Sequence, residues 1–209
     1  MTTQQPINAL FLDIGGVLLT NGWDRAARRR AAEQFGLDYE QLNERHHLTF
    51  DTYESGKLSL DDYLSRIVFY EPRSFSRAEF TQFIMDQSEP YPAMIRLMGD
   101  LKKQYDLKLI AVNNEGREIN GYRIAHFGLN ALFDAFVSSC YVHLRKPDPD
   151  LFRLALDIAQ IEPDHVIYID DRLMFVQVAQ AQGMRCFQHL DYDSTREQLA
   201  AMGLSLPES

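Results

Sequence analysis

The sequence predicts an α/β fold: a doubly wound parallel sheet with helices on both faces, interrupted after its first strand by an all-helical insertion. Two observations predict it. From about residue 93 onward, short apolar runs of strand length alternate with amphipathic segments of helix length, a pattern that calls for crossovers between parallel strands. Between the first apolar run and residue 90 the periodicity is helical throughout.

In order, Ala9-Leu-Phe-Leu-Asp13 is a short apolar run that ends in an acid and meets Gly15-Gly16, so it reads as a buried strand entering a tight loop. Asp24–Phe35 is a helix stopped by Gly36, and Tyr39–Leu48 a second. Ser59-Leu-Asp-Asp62 has the form of a capping box and opens a third helix through about Phe69. Ser76–Gln87 is a fourth, and Pro90 and Pro92 punctuate the chain. The segments that follow are helix Ala93–Tyr105, strand Leu107–Val112, helix Ile119–Phe127, strand Ala135–Val137 and helix Pro149–Ala159. Strand Val166–Ile169, helix Arg172–Gln182 closed by Gly183, and strand Arg185–Gln188 come next. A last helix begins at a second box, Ser194-Thr-Arg-Glu197. Residues 1–20 and 90–209 then form the core, and 21–89 an inserted helical cap.

A chain of 209 residues, 45% hydrophobic and 24% charged, has the make-up of an ordinary globular protein with one core and a small lobe. No run approaches the roughly 18–20 apolar residues of a membrane span. The polar start Met1–Ala9 does not have the pattern of a secretion signal. Cys140 and Cys186 are too few for a disulfide framework, so a cytoplasmic location is expected. A net charge of −9 argues against nucleic acid and anionic membranes as partners. The basic run Arg25-Ala-Ala-Arg28-Arg29-Arg30 reads first as the solvated side of an amphipathic helix, and second as a rim that attracts an anionic substrate.

In an open parallel sheet, ligands bind beyond the carboxyl ends of the strands. Asp13, Asn113-Asn114, Lys146 and Asp170-Asp171 stand just after four consecutive core strands. A single acid after a strand is usually a loop or capping residue, but the ordered set is much rarer.

The stretch Ala9-Leu-Phe-Leu-Asp13-Ile-Gly15-Gly16-Val-Leu-Leu19 resembles the first motif of the haloacid-dehalogenase-like hydrolase superfamily. Leu144-Arg-Lys146-Pro147-Asp-Pro149 looks like its lysine motif, and Tyr168-Ile-Asp170-Asp171-Arg…Gly183-Met184 like its metal motif. The resemblance covers essentially the whole chain and implies a Rossmann-like core with a helical cap. It also implies Asp13 as nucleophile, with Lys146, Asn113 and Asn114 catalytic. Substrate would be held by Gly15, Gly16, Asn113, Asn114 and Lys146, and Mg²⁺ by Asp13, the Gly15 carbonyl, Asp170 and Asp171. The chemistry is coherent: a carboxylate nucleophile splits a hard displacement into two easier ones, and a hard cation separates it from an incoming phosphate.

Three positions depart from the family pattern. The Asp that normally serves as acid and base two residues after the nucleophile is Gly15, and such help is typically worth ~10²–10⁴-fold. Asn113 replaces a Ser or Thr, and Phe175 replaces an Asn supporting the metal loop. Substitutes for the acid are sought among His46, His47, His143 and Glu115, and the turn Tyr53-Glu-Ser-Gly56-Lys57 is a candidate to face the site. Family members with Asp-x-Gly in the first motif are assigned as sugar phosphatases. The implied function is a Mg²⁺-dependent phosphatase of a small metabolite, such as a phosphosugar, working as a monomer or homodimer. The alternatives are a carbon–halogen hydrolase, which expels halide and needs no acid, and an impaired member kept as a binding protein.

Overall fold

A computed structural model describes residues 6–207; residues 1–5, the start of the polar N-terminal segment, lie outside the described residues. Strand β1 (Ala9–Leu12) is central in a five-stranded parallel sheet with β2 (Lys108–Asn113), β3 (Ala135–Ser138), β4 (Val166–Asp170) and β5 (Arg185–Gln188). The order is β3-β2-β1-β4-β5. The chain therefore winds outward on one side of β1, then crosses it to wind outward on the other. This places a topological switch between β1 and β4.

Helices cover both faces. β1 is buried along its whole length because its alternate side chains serve two cores. Leu10 and Leu12 pack with α6 (Pro92–Tyr105) and α11 (Tyr192–Ala201). Ala9 and Phe11 pack with α9 (Pro149–Ala159) and α10 (Leu173–Gln180). α7 (Arg117–His126) and the one-turn α8 (Ser139–Val142) follow β2 and β3.

Five helices lie between β1 and α6: α1 (Arg25–Phe35), α2 (Tyr39–His47), α3 (Phe50–Glu54), α4 (Leu60–Ile67) and α5 (Arg77–Met85). They enclose a third core that includes Trp23, Leu42, Tyr63, Leu64 and Phe80. The two chain crossings into this lobe are pinned together, as Thr20 N donates to Glu89 O (2.8 Å) and Thr20 Oγ1 to Gln87 O (2.8 Å).

Local chemistry explains most boundaries. Asp24 caps α1 through Ala27 N, and Gly36 closes it in the left-handed conformation. Ser76 and Glu79 form a full capping box on α5. At α4, Ser59 caps Asp62 N, but the Asp62 carboxylate takes the Ser59 hydroxyl, being one methylene short of what a box with the backbone needs. The expected box at Ser194–Glu197 is displaced: Asp191, in extended backbone, caps Ser194 N, so α11 starts three residues sooner. α3 and α8 are absent from the sequence reading because neither is long enough to show a period.

The turn after α3 docks on the sheet domain. Gly56 has φ +68°, and a Cβ there would lie 2.2 Å from Cys140 O. Gly36 shares the positive φ but has open space around it. Gly56→Ala is therefore expected to cost about 2 kcal/mol or more, and Gly36→Ala only about 1 kcal/mol. The check is urea unfolding of the two variants side by side; equal losses would mean the turn does not press on Cys140.

Candidate active site

The parallel register brings the carboxyl ends of the inner strands level. Leu12 is opposite Ala111 on one side and Ile169 on the other. Asp13, one residue on, still donates its N–H to Ile169 O (3.0 Å), which holds it beside Asp170.

Lys146 is at the centre, 1% exposed. Its Nζ lies 3.0 Å from Asp13 Oδ2 and 2.7 Å from Asp170 Oδ2. Asp13 Oδ1 accepts from Ile14 N (2.7 Å), while Asp170 accepts from Arg172 N (2.8 Å) and the Tyr168 hydroxyl. Asp171 Oδ2 accepts from Asn21 Nδ2 (2.9 Å), and its Oδ1 is buried with no hydrogen-bond partner. One carboxylate oxygen from each of Asp13, Asp170 and Asp171 can be chosen so that all lie within 4.8 Å of one another.

Three acids against one lysine leave excess negative charge, and the partnerless Asp171 oxygen calls for a cation. An oxygen-only donor set of this kind suits a hard divalent ion. Gly16 makes the fit possible: at φ +73°, a Cβ there would lie 2.3 Å from the Asp171 carboxylate. Burial, reinforced by Asp170, pushes the Asp13 carboxyl up to about 7 against the pull of Lys146. Asp170 is held below the ordinary carboxylate range, because Lys146 and its hydrogen bonds outweigh its burial. The two carboxylates on Lys146 keep its own pKa above the usual lysine value despite burial.

The two asparagines do different work. Asn114 clamps the backbone of Lys146 at two points, donating to Lys146 O and accepting from Lys146 N, each at 2.9 Å. The Asn113 amide donates to Asn120 Oδ1 (2.9 Å) and accepts from Ser138 Oγ (2.7 Å), so it ties the ends of β2 and β3 to α7. Phe175, where the family pattern has an Asn, places its ring 5.1 Å from Lys146 Nζ and stabilises the ammonium through its π face.

Between the sheet edge and the helical lobe lies a cavity of about 500 Å³, lined by Asp13, Gly15, Lys146 and Glu115 from below and by Arg28 and His46 from above. Of the substitutes for the missing acid, Glu115, His46 and His47 line it, and His143 does not. His143 sits outside and bonds through Nδ1 to Ser55 O (2.7 Å), fastening the α3 turn to the core. Glu115 is buried and bonded to Arg123 Nη1 (2.8 Å); burial raises its pKa. The turn Tyr53–Lys57 divides: Tyr53 and Glu54 face the cavity, and Gly56 presses on Cys140.

The basic run is solvated at three of its four arginines. Arg25, Arg29 and Arg30 are exposed, but Arg28 is 5% exposed and reaches into the cavity beside the small residues Ala27 and Ala31. Asn21, Tyr168 and Arg145 were not singled out by sequence, whereas Arg28 and Glu54 were named only as members of the basic run and of the turn. For two of them a signal existed: Tyr168 shares a strand face with Asp170 by period two, and Arg145 adjoins Lys146. Arg145 bonds to Glu54 (2.6 Å) and Asp51 (2.5 Å) across the two lobes.

A switch-point crevice holding clustered carboxylates and a buried lysine, roofed by helices, defines a capped α/β hydrolase. The chain belongs to the haloacid dehalogenase-like hydrolases, whose family model matches residues 7–183. It is 28% identical over 145 residues to bifunctional epoxide hydrolase 2 of Rattus norvegicus, covering 66% of this chain and 26% of that protein. The chain thus spans about a quarter of that relative's length. It is 27% identical over 179 residues to the sesquiterpene phosphatase astK of Aspergillus oryzae, covering 84% of this chain and 86% of that one. Its fold superposes on a HAD family enzyme of Bacteroides thetaiotaomicron solved with magnesium and inorganic phosphate. The TM-score is 0.74 at 19% identity, over 90% of this chain and 98% of that one.

Lys146→Ala would leave Asp13 and Asp170 buried and facing each other. The variant is expected to lose about 3–5 kcal/mol of stability in chelator-treated protein, read by urea unfolding, against no more than about 0.5 kcal/mol for the exposed control Lys103→Ala. A loss no larger than the control's would show that Lys146 is not needed to hold the carboxylates together.

Proposed function

We propose that this chain is a Mg²⁺-dependent phosphatase of a small phosphorylated metabolite, with residues 1–20 and 90–209 as the catalytic core and 21–89 as its cap. Phosphosugars are the first class to assay. The observation that carries this reading is the Asp13–Asp170–Asp171 cluster, whose Asp171 Oδ1 has no hydrogen-bond partner among the described residues, with Asp13 lining the cavity between sheet edge and helical lobe. The two cysteines are free, which suits a reducing cytoplasm.

Asp13, Asp170 and the Gly15 carbonyl would hold Mg²⁺, with Asp171 as a ligand or just behind the ligands. The bound ion supplies the positive charge that lets a phosphate dianion approach a carboxylate. The Asp13 carboxylate attacks phosphorus, the ester P–O bond breaks, and its electron pair leaves on the alcohol oxygen. Water in the cavity protonates that oxygen, since position 15 has no side chain. A second water, giving its proton to the hydroxide left by the first, then attacks the phosphorus of the aspartyl phosphate; the P–O bond to Asp13 breaks, which releases inorganic phosphate and restores the carboxylate. Lys146 stays protonated throughout and neutralises the nucleophile and the transferring group. Asn114 acts by positioning Lys146, and Asn113 by bracing the strand ends.

Gly15 favours one competing reading, carbon–halogen hydrolysis, because halide leaves without a proton. The acid cluster weighs against it, as that displacement has no use for a metal pair. A haloacid substrate belongs in the same assay.

Asp13→Asn is expected to fold normally and lose phosphatase turnover entirely, since a neutral amide does not attack phosphorus. In the wild type, Mg²⁺ affinity measured by calorimetry should tighten as pH rises towards about 7 and level off above it. Below that pH the ion must displace a proton from Asp13. Full activity in excess chelator, or in Asp13→Asn, would refute the mechanism.

Gly15→Asp tests the missing acid. Gly15 is not at positive φ, and a Cβ there meets Asn21 Oδ1 at 3.1 Å and Arg123 Nη1 at 3.8 Å, so the exposed Asn21 must shift slightly. Turnover of alkyl phosphates should rise about 10–100-fold, the lower part of the usual range because Arg123 favours the ionised carboxylate. Aryl phosphates, with better leaving groups, should gain little. No gain on alkyl phosphates in a folded, Mg²⁺-binding variant would exclude proton delivery from this position.

A further inference from the structure

The roof of the cavity gathers three hydrogen-bond donors, Arg28, Asn43 and His46, that no step above uses, with Asp24 and Glu54 also in its lining. Its anchor is Arg28. A guanidinium has five N–H groups, and three bonds are made here: Nη1 to Trp23 O (3.0 Å), and Nε and Nη2 to Asn43 Oδ1 (3.3 and 3.2 Å). Both acceptors are neutral. No carboxylate among the described residues forms an ion pair with Arg28. The nearby acids are engaged elsewhere: Asp24 caps α1, and Glu54 is paired with Arg145. A buried arginine with no carboxylate bonded to it is costly to keep, unless something that visits the cavity supplies that partner.

Two neighbours point the same way. Asn43 spends its carbonyl on Arg28, and its Nδ2 donor has no hydrogen-bond partner among the described residues. His46 is fixed by a relay. Trp23 Nε1 can only donate, so Tyr63 OH accepts from it (2.9 Å) and gives its own proton to His46 Nδ1 (2.6 Å). The imidazole, held neutral by burial and by Arg28, therefore carries its proton on Nε2. Arg28, Asn43 and His46 all line the cavity, so its upper end presents donors, one of them cationic, and Asp13 lies at the lower end.

We infer that the substrate carries a second anionic oxygen group, a carboxylate or a further phosphate, and that Arg28, the Asn43 amide and His46 Nε2 bind it at the helical end of the cavity. This deepens the phosphatase reading and rests on it. It selects acid-bearing phosphomonoesters over neutral ones of the same length. It also gives Arg28 its counter-ion only when substrate is bound, which makes the roof a specificity element and not a source of stability.

The test compares binding of three non-hydrolysable probes by calorimetry in excess Mg²⁺: plain alkyl phosphonates, ω-carboxyalkyl phosphonates and alkane bisphosphonates, each with chains of about two to five carbons. Wild type should bind one of the doubly acidic series about tenfold or more tighter than the alkyl phosphonate of the same length, the gain of charge-assisted bonds to a buried guanidinium. The series that gains tells a carboxylate from a second phosphate. Arg28→Met should remove the preference while changing alkyl phosphonate affinity no more than about threefold. Asn43→Asp covers the case that Arg28→Met misfolds: it keeps Arg28 but supplies an internal carboxylate where Oδ1 now sits, and should remove the preference too. Equal binding of all three series by wild type, or a preference that survives both variants, overturns the inference. Hydrolysis of an aryl phosphate without acid preference would leave the phosphatase reading standing and sink this one. No phosphonate binding and no phosphoester hydrolysis would sink both.

Discussion

Everything at the sheet edge depends on one buried ammonium between two carboxylates. Lys146 has no contact with bulk water, and its charge is tolerable only because Asp13 and Asp170 share it. The converse holds as well: these acids can sit at adjacent strand ends only because a cation divides them. That mutual need explains the surrounding detail. Asn114 grips the lysine backbone on both sides, Tyr168 donates to Asp170, and the Phe175 ring faces the ammonium. Asp171 is left over. Its buried Oδ1 has no hydrogen-bond partner among the described residues, in a cluster of acids that could hold a metal ion.

The position that carries an acid in many relatives is not simply vacant. Without a Cβ at Gly15, the Asn21 side chain approaches and holds Asp171, and Arg123 stands within 4 Å, bonded to Glu115 and to the Thr20 carbonyl. Position 15 thus faces the Arg123–Glu115 ion pair and carries no proton donor of its own. The roof adds Arg28 and the donors around it.

Cap and core are joined by polar contacts made at a few points. Arg145 bridges to Asp51 and Glu54, His143 to Ser55 O, and Glu118 to Leu60 N (3.0 Å). Apolar contact joins them as well: Ile119 of α7 packs into the core of the helical lobe, and the Tyr53 ring lies against Gly116.

What the sequence by itself determined is the sheet and its edge. Strand residues are buried on both faces, so their apolar runs stand out, and a parallel register follows from crossover lengths. Asp13 directly follows β1 and Asp170 ends β4, while Lys146 reaches the same crevice from the loop after α8. Boundaries were legible where a side chain closes its own helix, as at Asp24, Gly36 and Ser76, and not where two cappers compete, as at Asp191 and Ser194. Only the tertiary structure decided the direction of polar side chains. Arg28 and Arg29 are neighbours on one helix, yet one is buried and the other exposed, since 100° of rotation per residue carries one beside the Ala27–Ala31 stripe and the other into water. Asn113 and Asn114 are likewise adjacent, but the pleat sends one towards α7 and the other towards the lysine loop. Sequence spacing sets which residues reach the crevice; the packing of separate elements sets which atoms face it.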